Sequence, residues 1–284
     1  MRWWQVFNPA IYLISVLPAI VVLLLAGKAL VWTQGLVIST FAVILLQHAI
    51  NLFNDVSDWN LGADTEKMDS WVRLFDGKTG PVTIQALVSA AAGGITGLSV
   101  LYVGDKLSIV YIALPLITLG YLYNAGKSPL SYTWMGEWVT GICYGGVFAC
   151  LWLVAGLSLN FEAVMGTMAI AALAMSLLLS HQPPQFETDR AVGKKSFCVR
   201  YGIKKTKQVS VFLFTFSLLF TCLGVSFNQA IPSLQYMLIT LILLFSLYLL
   251  KVGPSPKRVL ILSSGLLSSM TMWTLLSQTE QVVF

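Results

Sequence analysis

Charge is what this chain has least of. Lys and Arg total 17 and Asp and Glu 12 among 284 residues, so only 10% of the sequence is charged, where a soluble domain carries about a quarter. That scarcity excludes an ordinary water-soluble globule. Cysteine is scarce too: Cys143, Cys150, Cys198 and Cys222 are scattered in or beside apolar segments with no CxxC pair. This excludes a zinc ribbon and a disulfide scaffold and leaves the four as small core residues. What remains is apolar, 57% hydrophobic with a mean hydropathy of +0.79, the composition of an integral membrane protein. The opening "MRWWQVFNPAIYLISVLPAIVVLLLAG" places a positive residue before an apolar run, as a signal peptide does. The run is long, no small-x-small cleavage site closes it and further spans follow, so it reads as a first transmembrane helix.

Nine apolar segments follow one another, near 10–27, 34–54, 82–103, 107–124, 138–157, 162–180, 208–227, 232–250 and 259–277. Most have about the 20 residues that cross a bilayer. The sequence therefore predicts an all-α integral membrane protein of nine transmembrane helices around a central cavity. It forms a single polytopic domain over 1–284, with an N-terminal half to about residue 136 and a C-terminal half from about 137. With a cytoplasmic N-terminus, 15 of the 17 Lys and Arg fall on the cytoplasmic side and only Lys28 and Lys106 outside, as the positive-inside rule requires. The net charge of +5 then needs no nucleic-acid partner; a basic face toward anionic lipid accounts for it.

Two cytoplasmic loops, 55–81 and 181–207, are long and hold most of the acidic and basic residues. Each follows a span ending in a histidine and amides, "QHAINLFND" and "SHQPPQFETD", and these contain the only two histidines, His48 and His181. The correspondence hints at two related halves. In "NDVSDWNLGAD" a helix continued to about residue 60 brings Asn54, Asp55 and Asp58 together, with Asn54 one turn below Asp58. Carboxylates near membrane depth are costly unless compensated, which marks the cluster as a functional site. Hard oxygen ligands of this kind suit magnesium, whose remaining positions are filled by water and phosphate oxygens. A solvated helix end capped by Gly62 is the plain alternative. In the second loop Gln185, Glu187 and Asp189 lie near Arg190, Lys194, Lys195 and Arg200, acids for a metal beside bases for a polyanion, although a merely charged loop has the same composition.

The spacing Asn54-Asp55-x-x-Asp58-x-x-x-Gly62-x-Asp64, paired with a charged loop after the sixth span in a chain of nine, resembles the UbiA superfamily of intramembrane prenyltransferases. It is similar within that superfamily to the 1,4-dihydroxy-2-naphthoate polyprenyltransferase (MenA) branch. "DTEKMDSWVRLFDGKTG" resembles that branch's loop with an arginine before Gly-Lys, here Arg73, Gly77 and Lys78; "YNAGKSPLSYTWMGE" resembles the segment after the fourth span. One departure stands out: the second acidic motif reads Gln185-Phe186-Glu187-Thr188-Asp189, and an amide ligates magnesium without contributing charge. His181 stands where the family more often has asparagine.

The resemblance implies a Mg2+ cofactor, a polyprenyl diphosphate donor, an aromatic acceptor and a surrounding lipid bilayer. Asp55, Asp58, Asp64 and Asp189, with Gln185, would hold the metal, and Asn54, Arg73, Lys78, Arg190 and Lys194 the diphosphate. Tyr121, Tyr123 and Lys127 would line the mouth, the tyrosine rings stabilising an allylic cation, although interfacial tyrosines also serve as anchors. The implied reaction is prenyl transfer to 1,4-dihydroxy-2-naphthoate in menaquinone biosynthesis, at the cell inner (cytoplasmic) membrane. Another aromatic acceptor, a UbiA-type terpene cyclase and a non-catalytic isoprenoid- or quinone-binding protein are the alternatives. A transporter is disfavoured because the acids gather at one face and no span carries a charge at its middle. The orientation is testable: an impermeant thiol reagent applied from outside should label a cysteine placed at residue 280 and spare one at residue 70. The reverse pattern overturns the orientation.

Overall fold

The computed structural model describes residues 6–7, 9–63, 70–124, 129–228 and 232–280. Within them the secondary structure is helical, and the helices of fourteen residues or more are numbered here α1 (Leu13–Ala26), α2 (Thr33–Asn60), α3 (Thr79–Val103), α4 (Val110–Asn124), α5 (Gly136–Val154), α6 (Phe161–His181), α7 (Ile203–Asn228), α8 (Pro232–Val252) and α9 (Pro256–Glu280). Six helical segments are long and apolar enough to cross a membrane, namely those covering α2 to α7. The count of nine crossings is therefore not established. The α1 helix has only 14 residues, short of the roughly 20 that a bilayer needs, and α9 interrupts its apolar run with Ser263, Ser264, Ser268 and Ser269.

Helix α2 shows how the sequence places charge inside. Its buried residues include Ala42, Ala49, Leu52, Asp55 and Asp58; each step of three turns the direction by about 60°, so the buried stripe winds from Ala42 and Ala49 through Leu52 to the carboxylates. The apolar stripe thus runs directly into the two carboxylates. Having packed Ala49 and Leu52, the helix cannot turn Asp55 away without breaking its own geometry. The opposite faces of the bundle carry exposed Phe41, Leu87, Leu98, Tyr111, Leu114 and Leu247, a scattering of large apolar side chains that water would penalise and lipid tails accept.

The main core joins α1, α5, α6 and α7 through Ile14, Leu17, Leu25, Phe148, Trp152, Ile170, Leu173 and Phe214, all at 2% exposure or less. With lipid outside, packing rather than the hydrophobic effect holds such helices, and small residues let backbones approach. A Cβ on Gly93 of α3 would lie 2.9 Å from Leu46 Cγ and 3.0 Å from the Ala42 carbonyl of α2, whereas its neighbour Gly94 has nothing within 4 Å. Likewise a Cβ on Gly145 of α5 would lie 3.1 Å from the Thr167 carbonyl of α6. The two glycines of α3 should respond in opposite ways to the same substitution. Gly93→Ala should lower stability by about 1–3 kcal/mol by wedging α3 from α2, while Gly94→Ala should be neutral or mildly stabilising through helix propensity. Thermal unfolding of the two variants in detergent decides, and equal shifts would contradict the close contact.

Candidate functional site

The carboxylates at the end of α2 are buried, Asp55 at 5% and Asp58 at 4% exposure, and each is held from outside its own helix. Asp55 Oδ2 accepts from Ser70 Oγ at 3.0 Å and from the Val72 amide at 2.9 Å. Ser70 in turn caps the short helix Trp71–Leu74, its hydroxyl accepting from the Arg73 amide at 3.2 Å. One serine thereby ties the loop after α2 to the carboxylate. Asp58 Oδ2 accepts from Asn54 Nδ2 at 2.9 Å, the one-turn pairing expected from the spacing, and its Oδ1 accepts from the Tyr132 hydroxyl at 2.8 Å.

A second wall comes from the segment after α6. A 3-10 turn, Pro183–Gln185, leads into the short helix Phe186–Ala191. Gly193, at φ +75°, then reverses the chain in a backbone geometry that favours glycine. Lys194 folds back so that its Nζ lies 3.4 Å from Asp189 Oδ1 and 5.1 Å from the centre of the Tyr132 ring. Asp189 is 3% exposed and also accepts from Ser196 Oγ at 3.0 Å. The segment is clamped by Glu137 at the start of α5, which accepts from Gln182 Nε2 at 2.9 Å, the Phe197 amide at 2.6 Å and Arg200 at 3.2 Å. Gln182 closes the clamp by accepting from the Cys198 amide at 3.0 Å. Burial pushes the Cys198 thiol up, outweighing the Thr206 hydrogen bond that lowers it, so this cysteine stays a protonated core residue.

Between the walls lies a cavity of about 240 Å³ lined by Asn54, Asp55, Asp58, Gln185, His181 and Lys194, among others. A second cavity of about 280 Å³, between α2, α4 and α5, is lined chiefly by apolar side chains such as Val43, Leu46, Leu116, Ile117 and Val147. Ile50, Asn51 and Tyr123 line both. The result is a charged chamber adjoining a greasy one, suited to a molecule with an anionic head and a long apolar tail.

Among the residues expected from the sequence, Asn54, Asp55, Asp58, Gln185, Lys194 and Tyr123 line the charged chamber. Asp189 is not among its lining residues; its oxygens face Lys194 and Ser196, so its position is behind Lys194. Arg73, Lys78 and Arg190 are exposed, and Tyr121, 54% exposed, meets Phe53 edge-on at 5.9 Å on the outer side. Helical phase separates Tyr121 from Tyr123, two positions apart on α4. Asp64 and Lys127 lie outside the described residues. Sequence reasoning missed Ser70 and Tyr132, whose bonds span 15 and 74 residues. It also missed the clamp by Glu137, for which a lone acid just ahead of an apolar span was the available signal. Among the described residues no three His, Cys, Asp or Glu side chains converge. The oxygens of Asp55, Asp58, Asn54 and Gln185 nonetheless suit magnesium, which is commonly held by one or two carboxylates while water and phosphate complete its shell.

An apolar helical bundle with a two-chambered cavity and a pair of carboxylates at its mouth is the architecture of a membrane protein that handles an amphiphile. The sequence pattern of the UbiA prenyltransferase family matches residues 15–274, and the chain belongs to that family. The 1,4-dihydroxy-2-naphthoate octaprenyltransferase of Bacillus subtilis (strain 168) is 31% identical over 168 residues, 58% of this chain and 54% of that protein. The chloroplastic 2-carboxy-1,4-naphthoquinone phytyltransferase of Arabidopsis thaliana is 31% identical over 222 residues, 71% of this chain and 55% of that protein. This chain thus spans about half the length of these two relatives. A solved UbiA homolog from Archaeoglobus fulgidus bound to GPP and Mg2+ shares the fold, with a TM-score of 0.68 and 15% identity over 97% of this chain and 99% of that one.

The clamp makes its own prediction. Glu137→Ala leaves the partners of a buried carboxylate, Gln182, Phe197 and Arg200, facing nothing, which should cost on the order of 3 kcal/mol locally. Trypsin should then cut the variant at Lys194, Lys195 or Arg200 much faster than the wild type. Equal cleavage rates would show that the segment is held by other contacts.

Proposed function

We propose that this protein transfers a polyprenyl group from a polyprenyl diphosphate to an aromatic acceptor, 1,4-dihydroxy-2-naphthoate, with Mg2+. The observation that carries the reading is the pair of adjoining cavities, one lined by Asp55, Asp58 and Lys194 and the other nearly all apolar. The naphthoate is favoured as acceptor by the two relatives, both named for naphthalene-derived substrates.

In this reading Asp55 and Asp58, with Asn54 and Gln185, hold Mg2+ against the diphosphate, and Asp64 adds a further carboxylate. Mg2+ bound there would draw negative charge from the leaving group. Lys194 faces the same phosphates from the other wall, its ammonium aimed by Asp189. Arg73, Lys78 and Arg190, at exposed positions, supply positive potential around the mouth, to which Lys127 would add. The allylic carbon–oxygen bond breaks with its electron pair going to the diphosphate. The aromatic ring then bonds to the allylic carbon, and loss of the ring carboxylate as CO2 restores aromaticity. Tyr123, lining both chambers, stands where the head meets the tail and presents its ring to the developing cation. Apolar walls keep out water that would trap that cation. The tail itself favours such surroundings by roughly 0.8 kcal/mol per CH2.

We infer nine crossings with a cytoplasmic N-terminus and an outer C-terminus in the cell inner membrane, supported by the 15-to-2 division of basic residues and by nine helices of fourteen residues or more among the described residues. Purified protein with Mg2+, a radiolabelled allylic diphosphate and the naphthoate tests the reaction. Asp58→Asn, which keeps shape and removes charge, should lower turnover on the order of a hundredfold. Gln185→Asp should lower the Mg2+ concentration giving half-maximal rate, because it adds a charge where the residue lines the chamber. No transfer by the wild type would favour the non-catalytic alternative. Near-normal transfer by Asp58→Asn would reject the metal role.

A further inference from the structure

The charged chamber has a third wall that neither the carboxylates nor Lys194 occupies. Phe7, Tyr12 and Trp71 line it. Phe7 stacks on Tyr12 with ring centres 5.3 Å apart, and the His48 ring stands behind them, 6.2 Å from Phe7, 5.9 Å from Tyr12 and 5.8 Å from Trp71. This is an aromatic corner of the chamber that also holds the carboxylates. Planar side chains at such spacings form a surface on which another ring packs by stacking or edge contact.

The corner has one polar group of fixed direction. The Tyr12 hydroxyl is 2.6 Å from His48 Nδ1, and His48 Nε2 is 3.3 Å from Gln85 Nε2. With the amide nitrogen of Gln85 toward it, Nε2 of His48 is assigned as the acceptor, which puts the imidazole proton of the neutral ring on Nδ1. His48 then donates to the Tyr12 oxygen, which the Asn51 side chain also meets. With its oxygen engaged by these two groups, Tyr12 directs its own proton elsewhere, toward the chamber that it lines. The depth is also right. His48 and Asp55 are seven residues apart on α2, two turns or about 10 Å along the axis. The corner therefore lies on the membrane side of the carboxylates, the side toward which the tail and reactive carbon of a bound diphosphate extend.

We propose that Tyr12 is an acceptor-binding residue held in register by His48: its hydroxyl donates a hydrogen bond to a ring oxygen of the aromatic acceptor, which lies against Phe7 and Trp71. The assignment rests on the prenyl-transfer reading above. His48 touches no substrate and is a positioning residue, which explains why an isolated histidine sits within an apolar span. A purely structural Tyr12–His48 pair linking the start of α1 to α2 would leave acceptor affinity untouched.

The test separates donor from acceptor with geranyl diphosphate, 1,4-dihydroxy-2-naphthoate and Mg2+ on the purified full chain. Tyr12→Phe should raise KM for the naphthoate roughly tenfold, the effect of one lost hydrogen bond, while KM for geranyl diphosphate stays within about twofold. His48→Asn places an amide nitrogen where Nδ1 was and should keep the naphthoate KM near that of the wild type. His48→Gln reaches only the Nε2 position and should behave like Tyr12→Phe. Thermal unfolding is followed in parallel; if Tyr12→Phe does not fold, the contrast between the two His48 variants decides. Unchanged naphthoate KM in folded Tyr12→Phe, or equal effects of His48→Asn and His48→Gln, overturns the assignment alone. A wild type that neither transfers to nor binds the naphthoate overturns the underlying reading and the assignment with it.

Discussion

Two carboxylates have to be accommodated at the end of an apolar helix, and most of what surrounds them follows from that constraint. Removing a charge from water is strongly unfavourable unless hydrogen bonds or opposite charges replace the lost hydration. Asp55 obtains them by drawing back the loop after α2, through Ser70 and the Val72 amide. Asp58 obtains them from its own helix through Asn54 and from the segment after α4 through Tyr132. The segment after α6 closes the opposite side, and Glu137 fixes it in place. Three stretches remote in sequence are thus recruited to a single helix end. They form the charged lid of an otherwise greasy bundle.

Close helix packing serves the same end. Because lipid tails are as apolar as leucine, helices in a membrane are held by fit, and Gly93 lets α3 lie against α2 at backbone contact. The helix that carries the carboxylates is thereby braced along its middle. On its other side α2 borders the apolar chamber with α4 and α5. Its lower part consequently borders the apolar chamber while its upper part carries the carboxylates.

The legible parts of the site were those governed by helix periodicity. Asn54, Asp55 and Asp58 could be placed on one face because a spacing of three or four residues fixes direction, and the Asn54–Asp58 bond follows from it. Gln185 and Lys194 were legible as types in a charged loop, but not their orientation. The turn at Gly193 brings Lys194 back beside Asp189, a pairing that residue types alone do not give. Tyr121 and Tyr123 were indistinguishable by type, and only the phase of α4 shows that one lines the cavity and the other faces outward. Ser70, Tyr132 and the Tyr12–His48 pair were invisible, since nothing local in a sequence marks contacts 15 to 74 residues apart. The number of crossings marks another limit. Apolar runs signal spans, but the 14 residues of α1 fall below the length at which composition alone defines one.

Tyr132 belongs to both charged walls at once. Its hydroxyl is bonded to Asp58 and its ring lies under the Lys194 ammonium. A cation settling at the carboxylate competes for the very oxygen that orients this ring, and an anion drawing on the lysine removes the charge resting on it. Occupancy of one wall therefore alters the free energy of filling the other, and by thermodynamic reciprocity the influence is equal in both directions. A single phenol would thus make a cation and an anion bound at these walls a linked pair, the affinity of either carrying a record of whether its counterpart had already arrived.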